Sequence, residues 1–123
     1  MNIILSNTNG KPLYEQIISQ IKGLILNGTL KDGDPLPSMR FLAKELRISV
    51  ITTKRAYEEL ERVGLIETVT GKGSFVAAKN KETIRDEHRR RSEELLLQAI
   101  HAAKESGISL KELSEMLSTL YSK

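Results

Sequence analysis

Apolar residues recur at Tyr14, Ile17, Ile18, Ile21, Leu24 and Ile25, three and four positions apart, the spacing of one buried helix face. Pro12 suits the opening of that helix, and Asn27 with Gly28 stops it. Gly33, Pro35 and Pro37 then predict an extended connector. Ser38 caps a short second helix with Met39, Leu42, Ala43 and Leu46 turned inward. Only Arg47, Ile48 and Ser49 separate it from a third helix, which Ser49 caps and which runs to about Gly64. Two helices so joined make a helix-turn-helix. In the third helix the inward set is Thr53, Ala56, Leu60 and Val63 with Tyr57 at the edge, which turns Ile51, Lys54, Arg55, Glu58 and Arg62 outward. Beyond Gly64, the β-branched or aromatic runs Leu65–Val69 and Ser74–Ala77 flank Thr70, Gly71, Lys72 and Gly73, predicting a hairpin with a cationic tip.

The pattern changes at the polar stretch Lys79, Asn80, Lys81, Glu82, which divides the chain into residues 1–78 and 79–123. Glu82 to about Ser106 reads as one long helix with Leu95, Leu96, Ala99, Ile100 and Ala103 on one side, ended by Gly107. Ser109 and Glu112 form a capping box that opens a last helix, apolar at Leu110, Leu113, Met116, Leu117, Leu120 and Tyr121. Two helices cannot hide this much Leu and Ile against each other alone. A second copy of the chain is the expected cover, with Leu95, Leu96, Ala99, Ile100, Leu113, Met116, Leu117 and Leu120 as the dimer contacts. The expected fold is mainly α: a winged helix-turn-helix with a small β-hairpin wing, followed by a helical hairpin for dimerisation.

Composition narrows the function. A chain of 123 residues holds one small domain and an appendage, not a large multi-domain enzyme. Cysteine is absent, which removes disulfide frameworks, thiolate zinc sites and Cys nucleophiles. Met1 to Asn9 has no basic region followed by an apolar one, and no apolar run approaches the ~18 to 20 residues that span a bilayer, so a cytoplasmic location without a membrane partner is expected. The net charge of +3 is modest, but it is polarised. Ser38 to Arg55 holds Arg40, Lys44, Arg47, Lys54 and Arg55 against Glu45. Ala56 to Glu67 holds Glu58, Glu59, Glu61 and Glu67 against Arg62. Cations at the start of the third helix and anions at its end oppose the helix dipole, so helix stability does not explain them. A helix front that meets phosphate does.

A helix-turn-helix followed by a hairpin is a winged module, whose second helix fits the major groove while the wing reaches backbone or minor groove. Arg40 can contact backbone or a guanine edge. Ser49, Thr52 and Lys54 can hydrogen-bond phosphate or bases, Val50 or Ile51 can lie on a thymine methyl, Arg55 lies on the same outward face, and Lys72 sits at the wing tip. Lys44, Arg47 and Arg62 read as solvated surface. The Gly71-Lys72 pair is not a phosphate loop, because Ile66 and Gly73 stand where that loop needs Gly and Ser or Thr. His88 and His101 lack a third ligand at useful spacing, and no nucleophile, base and carboxylate share a recognisable context. Neither metal, cofactor nor enzymatic activity is expected. The basic run His88 to Arg91 has local partners in Asp86–Arg90, Glu87–Arg91, Arg89–Glu93 and Arg90–Glu94, all four residues apart.

Leu36-Pro37-Ser38-Met39-Arg40-Phe41-Leu42-Ala43, Ile48-Ser49 with Thr52, Ala56-Tyr57-Glu58-Glu59-Leu60-Glu61, Gly64-Leu65-Ile66 and Gly71-Lys72-Gly73-Ser74-Phe75-Val76 together resemble the GntR family of bacterial transcription regulators, from Pro12 to Ala77. The resemblance implies a winged helix-turn-helix dimer that binds a palindromic double-stranded operator and usually represses. It carries DNA contacts to Arg40, Ser49, Thr52 and Lys54, and to Gly71 and Gly73 in the wing. Where relatives often have a polar residue or Arg, this chain has Val50, which offers a base no hydrogen bond. Met39 stands where many have Glu. The short tail resembles the YtrA-like subgroup, whose two-helix extension serves dimerisation and whose members often control transporter operons. One hairpin could hardly enclose a ligand pocket of ~300 to 1,000 Å³ by itself, and the sequence names no effector. The rival reading is a winged-helix adaptor that binds protein partners without sequence-specific DNA binding.

Overall fold

The computed structural model describes residues 1–123 as five helices and one antiparallel hairpin: α1 Leu13–Leu26, α2 Met39–Leu46, α3 Val50–Arg62, β1 Ile66–Val69, β2 Gly73–Val76, α4 Lys81–Glu105 and α5 Leu110–Tyr121. They fall into two units, Met1–Thr83 and Ile84–Lys123. The division falls between Thr83 and Ile84, just past the polar stretch Lys79 to Glu82, whose last two residues already belong to α4.

In the first unit, α1 buries Ile17, Ile21 and Ile25, and α3 buries Thr53, Ala56, Tyr57 and Leu60. These stripes pack on each other, and α2 adds Leu42 and Ala43. Tyr57 is not at the edge. It is 1% exposed, and its hydroxyl donates to the Pro37 carbonyl at 2.7 Å, tying α3 to the connector that leads into α2. Val63 is only half-buried. Gln16, which the apolar spacing does not mark, is also buried. Its amide accepts from the Ser6 N–H at 2.8 Å and donates to the carbonyls of Ser6 and Lys11 at 2.7 and 2.9 Å, which fastens the leading segment to the helix. A buried amide so saturated carries little desolvation cost.

Gly64 turns the chain out of α3 at φ +83°, a left-handed conformation that favours glycine; a Cβ there would stand 2.6 Å from the tip of the exposed Asn80 side chain, which would have to move aside. The hairpin pairs Ile66 with Val76 and Val69 with Gly73. Gly73 therefore belongs to β2, and the tip is shorter than expected: Thr70, Gly71 and Lys72. The Lys72 N–H closes a turn on the Val69 carbonyl at 2.9 Å, with Gly71 at φ +79°, the positive value a type II turn needs at its third position. The connector also pairs with the free edge of β2. Leu36 N–H donates to Ser74 and Val76 N–H to Asp34, at 2.9 and 2.8 Å, around a bridge between Pro35 and Phe75.

In the second unit, α4 ends where Ile108 N–H donates to the Ala103 carbonyl at 2.9 Å beside Gly107 at φ +72°. The Ser109 hydroxyl then accepts from the Glu112 N–H at 3.2 Å to open α5. Of the basic run, Arg89 pairs with Glu93 at 3.7 Å as expected. Arg91 turns to Glu94 at 3.3 Å instead of Glu87, and Arg90 meets neither Asp86 nor Glu94. Long side chains in water choose between near-equal partners worth a few tenths of a kcal/mol, so such pairings are weakly specified. No helix is long and apolar enough to cross a membrane.

Candidate nucleic-acid interface

The turn between α2 and α3 is Arg47, Ile48 and Ser49. Arg47 takes the left-handed conformation, φ 56° and ψ 46°, and Ile48 N–H donates back to the Ala43 carbonyl at 3.0 Å. A non-glycine residue held there costs on the order of 1 kcal/mol. The hydrogen bond and the packing of α2 on α3 hold it in place. The next residue, Ser49, is extended, and its hydroxyl accepts from the Thr52 N–H at 3.1 Å while lying 3.0 Å from the Thr52 hydroxyl. One polar pair thus builds the start of α3.

That start is open to solvent. Ser49, Val50 and Ile51 are exposed, Ile51 to 79% of its surface, and Thr52 is half-buried. At 100° per residue, Ile51 points directly away from the buried Thr53, Ala56 and Leu60 stripe. Arg40 is exposed on the first turn of α2, beside a Phe41 that is also exposed and that the sequence pattern did not mark. Gly71, Lys72 and Gly73 are exposed at the wing.

The cations fall into two groups. Arg40, Lys44, Arg47 and Lys72 have no carboxylate within 4 Å, and Lys54 reaches Glu58 only at 3.8 Å with both side chains exposed. Arg62, at the rear of α3, forks onto Glu59, with Nε to Oε2 at 2.9 Å. This partner and its charge hold the Glu59 carboxyl below its ordinary range and raise Arg62. Arg55 is engaged as well. Its guanidinium lies 3.8 Å over the Tyr14 ring of α1 and donates to the Tyr14 hydroxyl at 3.2 Å. The structure therefore lays Arg55 against Tyr14 of α1, while Arg40 on α2, Lys54 on α3 and Lys72 at the wing tip are exposed. Nothing local announces a partner 41 positions away. Dipole, unpaired cations and free N–H groups at the front of α3 make a surface suited to anionic phosphate.

In the second unit, Leu95, Leu96, Ala99, Ile100, Met116, Leu117 and Leu120 are exposed and Leu113 is half-buried. α5 buries no residue. Between α4 and α5 lies a cleft of about 290 Å³ walled by Leu96, Ile100, Leu110, Leu113, Leu117 and Leu120. Leu97 and Tyr121 are exposed too. His88 and His101 stand apart on α4, His101 3.1 Å from Glu105.

Residues 13–76 match the family described as bacterial regulatory proteins, gntR family. The chain is 42% identical over 106 residues to the HTH-type transcriptional repressor YtrA of Bacillus subtilis (strain 168), covering 86% of this chain and 82% of that one. A transcriptional regulator from Oenococcus oeni superposes with a TM-score of 0.72 at 28% identity, over 95% of this chain and 97% of its own. The DNA-binding domain of AraR, solved in complex with operator ORX1, gives 0.56 at 25% identity over 63% of this chain and 96% of its own. With its winged helix for DNA and its short two-helix tail, this chain belongs to the gntR family of bacterial regulatory proteins, in the YtrA-like branch, and is a transcription regulator and not an enzyme.

Proposed function

We propose that the chain is a homodimeric repressor that binds a palindromic operator, one copy per half-site, and controls a transporter-type operon in the cytoplasm. The single observation that carries this reading is the open front of α3, where Ser49, Val50 and Ile51 are exposed beside Arg47, which has no carboxylate within 4 Å, and Lys54, which reaches Glu58 only at 3.8 Å with both side chains exposed. α3 enters the major groove. Arg40, Ser49, Thr52 and Lys54 supply contacts to phosphate and base edges, and Gly71, Lys72 and Gly73 lie on the adjacent groove or backbone. The apolar faces of α4 and α5 meet their counterparts in a second copy, because the single chain leaves them in water. The name of the Bacillus subtilis relative supports repression as the direction of control.

Selecting bound duplexes from a random pool tests the reading. The expected product is an inverted repeat with half-sites about 34 to 36 Å apart, one helical turn. Its affinity should fall steeply between low and moderate salt as phosphate contacts release counterions. A pool that yields no enriched sequence, with the protein folded, would mean a winged-helix adaptor for protein partners.

A further inference from the structure

The front of α3 carries an unusual mixture for a surface that meets DNA. Two aliphatic side chains are exposed there, Ile51 at 79% and Val50 at 42%, and Ile51 lies on the side opposite the buried stripe of α3. The hydroxyls beside them are partly occupied. Ser49 accepts the Thr52 N–H, and the two hydroxyls lie 3.0 Å apart, so one of their two protons is shared between them and one is left for a base or phosphate. The exposed charges of the helix-turn-helix include Arg40 on α2 and Lys54 one turn further along α3, which draw the phosphate backbone close.

We propose that Ile51 reads thymine through its C5-methyl group, with Val50 closing its flank, so that each half-site of the operator carries a thymine opposite the first turn of α3. The inference rests on the DNA-binding reading above. In the major groove, the methyl of thymine is the apolar group among the features that distinguish the four base pairs. The others present N7 and O6 acceptors or amino donors. An isoleucine pressed against those polar edges strips their water and returns no hydrogen bond, a penalty the thymine methyl avoids. Ile51 thus selects both by contact and by exclusion. The charged neighbours fix the occupant of this apolar spot as a nucleic acid and not an apolar protein face.

The test uses the full-length protein and its selected duplex. Each thymine is replaced singly by uracil, which removes the methyl and preserves every hydrogen-bonding group. The expected result is an affinity loss of about fourfold at one position of each half-site, and about 15-fold when both symmetry-related positions are changed, the effect of one methyl removed from apolar contact per half-site. In Ile51→Ala protein that position becomes indifferent to uracil, while the salt dependence of binding is unchanged. Thermal unfolding confirms that both proteins are equally folded, as expected for so exposed a side chain. If a sequence is selected but uracil costs less than twofold everywhere, the inference falls and the DNA-binding reading stands. The inference also falls if Ile51→Ala retains the uracil effect or if only Val50→Ala abolishes it. A pool that enriches no sequence overturns both.

Discussion

The two units of this chain use similar side chains to opposite ends. In the first, Ile17, Ile21, Ile25, Leu60 and Leu65 are wholly buried within one chain. In the second, Leu95, Leu96, Ile100, Leu117 and Leu120 are placed at helical spacing just as regular, yet all remain in water, and Leu117 is 51% exposed. Periodicity in sequence therefore identifies an apolar face but not what covers it. The first unit has three helices and a hairpin converging on one core. The second has two helices with an open cleft of about 290 Å³ between them, and a helical pair offers no third layer to close it. In a dimeric repressor, the first unit's stability should be independent of protein concentration, and the second unit's should depend on it.

The largest effect should come from cutting into the closed core. Leu60→Ala removes a wholly buried side chain between α3 and its neighbours and is expected to destabilise the first unit by about 2–5 kcal/mol. Urea unfolding at several protein concentrations checks it, since the loss should not vary with concentration. Next comes the open face. Leu117→Asp combined with Leu120→Asp places charges where no residue of α5 is buried, so the first unit should remain folded. Sedimentation should show a monomer, and operator affinity should fall about 100-fold as the avidity of paired half-sites is lost. A double variant that still sediments as a dimer would move the dimer contact away from α5.

A smaller effect separates the cations of α2 and α3. Arg40→Ala removes an exposed charge without a carboxylate partner, and is expected to weaken operator binding about tenfold and to lower the slope of log affinity against log salt by about 0.9. Arg55→Ala breaks the stack on Tyr14. If its charge is spent inside the protein, binding should weaken through the seating of α3 on α1 with the salt slope unchanged. A drop in slope equal to that of Arg40→Ala would place Arg55 on phosphate after all.

These contrasts also mark what could be read in the sequence. The helices were legible from local signals: apolar spacing of three and four, Ser38, Ser49 and Ser109 as caps of α2, α3 and α5, and glycines beyond the ends of α1, α3 and α4. The three-residue turn and the exposed front of α3 followed from them, and the wing was legible from two β-branched runs around a glycine-rich tip. Contacts between distant residues were not legible. The stack of Arg55 on Tyr14, the clamp of Gln16 on Ser6 and Lys11, and the pairing of Asp34 and Leu36 with β2 all join polar groups whose partners are set by tertiary packing. Arg55 looked free for DNA because helical geometry gives the direction of a Cβ and not where six further heavy atoms come to rest. Val69 and Gly73 pair at the hairpin end for a similar reason: the turn chemistry allowed more than one tip length, and the register chose the shorter.

The smallest effect sets one tyrosine of each unit side by side. The helical spacing puts Tyr57 at the edge of the inward set of α3, but the structure buries the ring and satisfies its polar tip on Pro37. Burial raises its pKa above the ordinary value of 10.0. The sign follows from linkage: above pH 10 the unfolded chain releases the Tyr57 proton while the folded one retains it. The associated stability is fully present below pH 10 and is lost as pH rises beyond it. Tyr57→Phe keeps the ring and loses the hydrogen bond, so it should cost about 1 kcal/mol at neutral pH. It should also flatten the alkaline decline in urea midpoint, because the group that ionises only on unfolding is gone. Tyr121, 87% exposed on α5, supplies the control: Tyr121→Phe should leave the alkaline decline of the first unit as it was. Equal alkaline curves for Tyr57→Phe and the unaltered chain would show that α3 can part from the connector at Pro37 without exposing its core, and the turn that aims α3 would then be held by Arg47 and Ile48 without that bond.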